Sequence, residues 1–362
     1  MIDIANSAAA DSHSCTLIAG RLVHRNNPLN AKVKFIKIIR YDRRTTFRRM
    51  FTWSVAFVQI WFLSIFRYRA SRLLIVSNPP FAPLLPLFCP NRFSLLIFDV
   101  YPDALSEFGL LSNRSWLVRL WKIANRRVFD RADRIITITE GMKQVLQRYA
   151  GKNHIDVVPV WTDNTFLKPI PKNSNPFVKK HRLENKFVIL YSGNLGYSHN
   201  VETIVDLAAC IDDPSILFLL IGDGEKKQMI ENTIRSMGLT NCLLLPFQPA
   251  AELPNSLSSA DVAVVALGRE ASRLSIPSKT YNLMSVGVPL LCIAEQGSDL
   301  SMLVAKLNIG KSFSTDQLTE MKSFITDLAA STQKQQLYRA NALKASFEFG
   351  PENAKKIIEI VK

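Results

Sequence analysis

The sequence predicts an α/β protein built from two parallel, doubly wound sheets, and three observations lead there. At 362 residues the chain exceeds what one ordinary core serves and accommodates two domains. Short, nearly continuous apolar runs recur with helical stretches between them, as expected of parallel strands covered on both faces. That rhythm occurs twice, and a proline-containing polar stretch separates the two series.

In the first series, strands are expected at 15–19, 33–39, 73–76, 94–98, 135–139 and 156–158, all β-branched or leucine-rich. Helical patterns lie at 115–129 and 142–149. The stretch 161–186 carries Pro169, Pro171 and Pro176 among polar residues and reads as the connection, with 171–186 as the linker proper. The second series places strands at 187–191, 216–221, 242–245, 262–266 and 290–293, with helices at 201–210 and 225–237. The expected domains are therefore 1–170 and 187–340, with 341–362 a C-terminal helix that crosses back to the first domain.

Residues 50–66 stand apart as 17 residues without a charge, bounded by Arg48, Arg49, Arg67 and Arg69, with Arg40, Arg43 and Arg44 upstream. The run is short for a bilayer span and contains Thr52, Ser54, Gln59 and Ser64. Basic residues at both ends oppose the one-sided bias that orients a span. Three readings stand: an interfacial helix, a buried core helix and a span, the interfacial one first. Trp53 and Trp61 suit an interface and a core equally.

The formal charge of +15 is segregated. Residues 1–172 hold 26 Lys+Arg against 11 Asp+Glu, whereas 173–362 hold 19 against 19. A field confined to one half points to an anionic partner: a phospholipid surface, a lipid diphosphate or nucleic acid. Nucleic acid is not expected, because zinc-knuckle, RNP and helix-turn-helix patterns are absent and aromatics do not interleave with the arginines. Cys15, Cys89, Cys210, Cys242 and Cys292 lie far apart without a CxxC, which argues against a disulfide framework and a zinc site. Residues 1–20 lack a basic region followed by an apolar run, so a cytoplasmic location is expected.

Ligands of open parallel sheets bind beyond the carboxyl ends of the strands. In the second half one such end runs into Ser192-Gly193-Asn194-Leu195-Gly196, another into Gly222-Asp223-Gly224. Glycine there allows close backbone approach, and a following helix offers free N–H groups to phosphate. The second turn reads equally as a helix cap. Sharper is Ser275-Ile276-Pro277-Ser278-Lys279-Thr280, where Pro277 and Ser278 start a helix and Lys279 falls in its first turn. A cation there opposes the helix dipole, which a bound anion would explain. A solvated lysine is the alternative.

The run from Tyr191 to about Phe313 resembles the donor-binding domain of family 4 glycosyltransferases, in the pieces YSGNLGYSHNVETI, FLLIGDGEKKQMIE, SSADVAVVAL and IPSKTYNLMSVGVPLL. FDVYPDALSEFGLL and ADRIITITEGMKQVL extend the likeness into the first half, toward the colanic-acid and O-antigen fucosaminyltransferase-like branch. The resemblance implies a GT-B fold, two Rossmann-like domains facing across a cleft, with the acceptor on the first and the nucleotide sugar on the second. It also implies retention at the anomeric carbon without a metal or other cofactor.

Carried over by position, Gly193 and Asn194 lie near the donor phosphates and sugar, Phe247 near the base, and Ser278 and Lys279 at the diphosphate. Asn282 takes the place of a ribose-contacting glutamate, and Glu295, Gly297 and Ser298 lie near the sugar. The family's pair of glutamates, eight positions apart, is here Leu274 and Asn282. SHSCTLIAG matches what the family carries second, so the expectation is either that the sequence begins downstream of the true start or that it lacks the family's usual first strand. On the acceptor side, Asn78, Asp99, Asp103 and Glu140 follow strands, Asp99 as orienting group or base and Lys279 as its catalytic counterpart on the leaving group. Asp99, Asp103 and Glu140 read equally as helix caps or dipole partners, and His13 and His199 as structural. The expected function is sugar transfer from a nucleotide sugar to a lipid-linked or polysaccharide acceptor, by a protein peripheral to the anionic inner face of the plasma membrane. A catalytically impaired GT-B-like membrane protein and a basic nucleic-acid-binding module are the alternatives.

Overall fold

A computed structural model describes residues 1–10, 14–23, 27–42, 44–107, 112, 114–151, 153–196, 199–268 and 276–362. Contacts divide the chain into two compact units, Met1–Pro159 with Pro351–Lys362, and Val160–Gly350.

The first unit runs α1 (Ile2–Ala10), β1 (Thr16–Ala19), β2 (Lys34–Lys37), α2 (Thr46–Phe66), β3 (Leu73–Val76), β4 (Phe93–Ile97), α3 (Asp103–Glu107), α4 (Trp116–Arg131), β5 (Arg134–Thr137), α5 (Glu140–Ala150) and β6 (Ile155–Val157), and recruits the C-terminal helix Glu352–Val361. β3 to β6 form a parallel sheet in sequence order, with Leu73 opposite Phe93, Ser94 opposite Arg134 and Ile135 opposite Ile155. Every residue of β4 is buried, so FSLLI needs no polar alternation. β1 and β2 pair in parallel as a separate two-stranded sheet. α5 starts on Thr139, whose hydroxyl accepts from the Met142 N–H.

The second unit comprises α6 (Pro176–His181), β7 (Phe187–Asn194), α7 (Glu202–Ala209), β8 (Ile216–Asp223), α8 (Lys227–Ser236), β9 (Cys242–Leu245), α9 (Leu253–Ser258), β10 (Val262–Ala266), α10 (Ser278–Ser285), β11 (Leu290–Ile293), α11 (Asp299–Leu307), β12 (Gly310–Phe313), α12 (Leu318–Ala330) and α13 (Thr332–Ser346). Its six strands are parallel in the order β12-β11-β10-β7-β8-β9. The chain walks outward from β7 to β9, then returns to the other side of β7 with β10. That reversal is the topological switch point of a doubly wound sheet. Alternate residues feed two cores: Val188, Leu190, Val265 and Cys292 one face, and Ile189, Tyr191, Val264 and Ile293 the other.

The segment 171–186 is not a linker. Asn175 caps α6 by accepting from the Phe177 N–H, and Phe177, Val178 and Leu183 are buried with Leu257 and Ala260 in the core of the second unit. The boundary falls instead between Pro159 and Val160, and the return to the first unit begins at Pro351.

Candidate functional site

Strand β7 ends in Gly193 and Asn194, and its register sets Gly193 opposite Gly222 and Asn194 opposite Asp223 at the end of β8. The two glycine turns press on each other: a methyl group on Gly222 would lie 2.0 Å from the Gly193 carbonyl oxygen. Only glycine leaves room for that approach.

Against this turn stands Lys279. Its Nζ lies 4.0 Å from the centroid of the Tyr191 ring, and a methyl group on Gly193 would come within 3.4 Å of it. The residue keeps part of its stem exposed, but Nζ is shut from solvent and finds no hydrogen-bond acceptor among the described residues. Burial pulls its pKa down from the ordinary lysine value to about 7, the neighbouring Cys292 thiol opposing weakly. α10 opens immediately before it: Pro277 precedes the helix, no side chain caps it, and while the Thr280 N–H bonds the Pro277 carbonyl at 2.9 Å, those of Ser278 and Lys279 lack intrahelical partners. A buried ammonium, free N–H groups and a helix N-terminus thus converge beside the end of β7, an arrangement suited to an anion.

His199 belongs to the same cluster. Its Nδ1 lies 3.1 Å from the Ala266 carbonyl at the end of β10, across the switch point, while Asn200 donates to the Leu267 carbonyl at 3.4 Å. Burial lowers its pKa; the Ala266 bond opposes this, and Lys279 and Lys226 reinforce it. Lys226 is itself engaged, donating to the His199 carbonyl and pairing with Glu202 at 2.7 Å. With Nδ1 donating to a carbonyl, Nε2 is the acceptor nitrogen of the neutral ring. Sequence reasoning set His199 aside as structural and passed over Tyr191, the aromatic floor under Lys279. The signal for both was position: Tyr191 precedes the glycine turn and His199 follows it.

The other donor-side candidates also follow strand ends of this sheet. Phe247, 55% exposed, comes two residues after β9. Glu295 follows β11, Gly297 adopts φ +76°, and Ser298 caps α11 by accepting from the Ser301 N–H. Asn282, one turn along α10 from Lys279, accepts through Oδ1 from the Thr162 hydroxyl at 2.6 Å, which occupies one side of its amide. Ser278 is exposed as the first residue of α10. Leu274, Arg43 and His13 lie outside the described residues.

In the first unit, Asn78, Asp99 and Glu140 follow β3, β4 and β5, on one edge of the sheet. Asp99 is open to solvent on one side, while protein crowded round its carboxylate raises the pKa through desolvation. The Ser77 hydroxyl fixes its backbone, accepting from the Phe98 and Asp99 N–H groups. Asp103 does not fit its acceptor-side assignment: its carboxylate accepts a very short bond from the Tyr149 hydroxyl and pairs with Lys122 at 3.5 Å. Glu140 sits exposed in the first turn of α5, 4.0 Å from Lys143, where it complements the helix dipole.

The family model described as glycosyl transferases group 1 matches residues 173–335, the stretch that contains β7 to β12 and Lys279. Residues 173–335 are a group 1 glycosyltransferase domain. The chain carrying it is 26% identical over 234 residues to the probable glycosyltransferase WbjE of Pseudomonas aeruginosa, covering 63% of this chain and 57% of that one. It is likewise 26% identical over 247 residues to the putative colanic acid biosynthesis glycosyl transferase WcaI of Escherichia coli strain K12, covering 66% and 60%. The chain thus spans less than two thirds of the length of these relatives. Among solved structures it is similar to sucrose-phosphate synthase from Thermosynechococcus elongatus, with a TM-score of 0.74 and 15% identity over 99% of this chain and 90% of that one. HepE of Anabaena in complex with UDP-glucose gives a TM-score of 0.66 and 16% identity over 85% and 81%. The group 1 domain therefore sits in a chain of GT-B fold, and the resemblance to family 4 glycosyltransferases holds.

Proposed function

We propose that this chain is a glycosyltransferase that moves a sugar from a nucleotide-sugar donor to a glycan acceptor in surface polysaccharide synthesis. One observation carries the reading: the buried ammonium of Lys279, without a hydrogen-bond partner among the described residues, at the N-terminus of α10 beside the Gly193 turn at the switch point. A diphosphate laid there would receive the N–H groups of Ser278 and Lys279 and the charge of Lys279. Charge developing on the departing diphosphate would be stabilised by the same groups, the larger part of the catalytic effect. The complex of HepE with UDP-glucose supports a uridine donor, and the name of WcaI supports a glycan acceptor. Transfer without a metal and with retention is proposed on the family resemblance, and a lipid-linked acceptor at the cytoplasmic face of the membrane on the basic charge gathered in the first half of the sequence.

In this reading Gly193, Asn194, His199, Glu295 and Gly297 surround the phosphates and sugar, Phe247 meets the base, and Asn282 offers its free amide edge to ribose. Asp99 orients or deprotonates the acceptor hydroxyl. The test is a thermal-shift panel of nucleoside diphosphates and nucleotide sugars on the intact chain and on Lys279→Met. Ligand binding raises the melting temperature by mass action. Stabilisation by a nucleotide sugar that disappears in the variant supports the proposal. A folded protein indifferent to every member of the panel refutes it.

A further inference from the structure

Long apolar helices of soluble domains are covered by their neighbours; α2 is not. Its stretch Phe47–Phe66 has a mean hydropathy of 1.3, apolar and long enough to cross a membrane, yet only 17% of that window is buried. The exposed residues Phe47, Phe51, Val58, Phe62 and Phe66 repeat at intervals of four or seven, along one stripe of the helix. Phe62 and Phe66 pack ring to ring at 4.4 Å, which keeps the stripe apolar to its end.

A second helix repeats the pattern. On α4, Trp116, Leu120 and Ile123 are exposed at intervals of four and three, Trp116 at 70%, while Val118, Asn125 and Val128 face inward. Both helices pack on the same proline-rich turn Ala82–Leu87, and Phe88 at its end is also exposed. Arg119, Arg126 and Arg127 are exposed on α4 beside its stripe, and Arg67 and Arg69 follow the last turn of α2. α2 carries no acidic residue. The first unit holds 27 Lys+Arg against 12 Asp+Glu and the second 18 against 18, so the whole excess lies in the unit that owns this surface.

We propose that α2 and α4 form one docking face for an anionic phospholipid surface, both helices lying in the plane of the headgroups. Apolar stripes bordered by arginine match a bilayer whose headgroups are negative and whose interior is hydrocarbon. A second copy of the chain does not match, since a symmetric contact would set arginine against arginine. The inner face of α2 argues against a span. Trp61 donates to the Phe88 carbonyl at 3.0 Å, Gln59 accepts from the Ile39 N–H at 2.9 Å, and Trp53 stacks on Tyr41 at 5.6 Å. A spanning helix would forfeit all three. The inference stands whether or not the chain transfers sugar.

The test is co-sedimentation of the full chain with vesicles of phosphatidylglycerol and phosphatidylcholine, against phosphatidylcholine alone. Binding is expected to the anionic vesicles, weakening in 0.5 M salt on the order of tenfold as the charges are screened. The double variants Phe51→Asp/Phe62→Asp and Trp116→Asp/Leu120→Asp should each lower affinity at least ~10-fold, with unchanged far-UV circular dichroism. Should an apolar-face variant misfold, Arg119→Glu/Arg127→Glu, which alters only exposed charge, must lower affinity to the anionic vesicles alone. Unchanged binding in the folded variants, a self-association that these substitutions abolish, or resistance to alkaline carbonate extraction would each overturn the proposal.

Discussion

Lys279 Nζ sits 4.0 Å above the Tyr191 ring, and that aromatic contact is the only attraction to the ammonium identified among the described residues besides the weak influence of Cys292. A cation over a phenol ring gains about 1–2 kcal/mol when desolvated, less than burial costs it. The folded protein therefore holds a charge site at a loss until something anionic arrives.

That loss has a pH signature. Lys279 is pulled down to about 7, so above that value the folded chain has released a proton which the unfolded chain keeps up to the ordinary 10.5. Stability contributed through this group rises with pH across that window and is at its lowest below it. Lys279→Met removes the effect. The variant should exceed the parent by on the order of 3 kcal/mol at pH 6, with the gap closing by pH 10. Urea midpoints at the two pH values measure it, and parallel curves would refute a buried ammonium.

Ligand binding should reverse the same shift. A diphosphate beside Lys279 restores its charge, and His199, kept neutral by burial and by its cationic neighbours, moves in the same direction. At pH 8 binding of UDP is expected to take up about one proton or slightly more. Isothermal titration in two buffers of different ionisation enthalpy gives that number directly. A value of zero, with binding intact, would put the diphosphate elsewhere.

The glycine turns make a steric prediction. Gly222→Ala places a methyl 2.0 Å from the Gly193 carbonyl, so one turn must move away from the other. A cost of about 3 kcal/mol is expected, with loss of nucleotide-induced stabilisation, because the moved turn adjoins Lys279. Gly238→Ala is the comparison: its added carbon meets nothing within 4 Å, and only its φ of +63° resists the change. About 1 kcal/mol and unaltered nucleotide binding are expected there.

Parallel strands buried on both faces announce themselves, so eleven of the twelve described strands could be read from apolar runs, and Lys279 from its conflict with the helix dipole. β12 could not: GKSF is an edge strand whose apolar partners lie on β11. α1 was missed for a related reason, since its buried Ala5 and Ala9 carry little hydropathy and its contact is the C-terminal helix, more than 300 residues away in sequence. The reversal at β7 and β10, which brings His199 to the Ala266 carbonyl, exists only in three dimensions. So does the Tyr149 bond that gives Asp103 a structural partner.

Asp99 and Asp103 therefore separate by experiment. Asp103→Ala removes the acceptor of the Tyr149 hydroxyl and the partner of Lys122, which should cost about 2 kcal/mol and lower the melting temperature. Its effect on kcat should be small at a temperature where the variant is folded. Among the described residues no hydrogen bond or ion pair to the Asp99 carboxylate is identified. Its carboxyl pKa is raised by desolvation, so the folded chain keeps a proton to higher pH than the unfolded chain does, and stability through this group falls as pH rises through that interval. Asp99→Asn is then neutral or mildly stabilising at pH 7, yet transfer should fall about 100-fold if the carboxylate takes the acceptor proton. Paired melting curves and kcat values on the two variants decide the assignment. An Asp99→Asn enzyme of full activity would move the acceptor base to another strand end, with Glu140 the next to substitute.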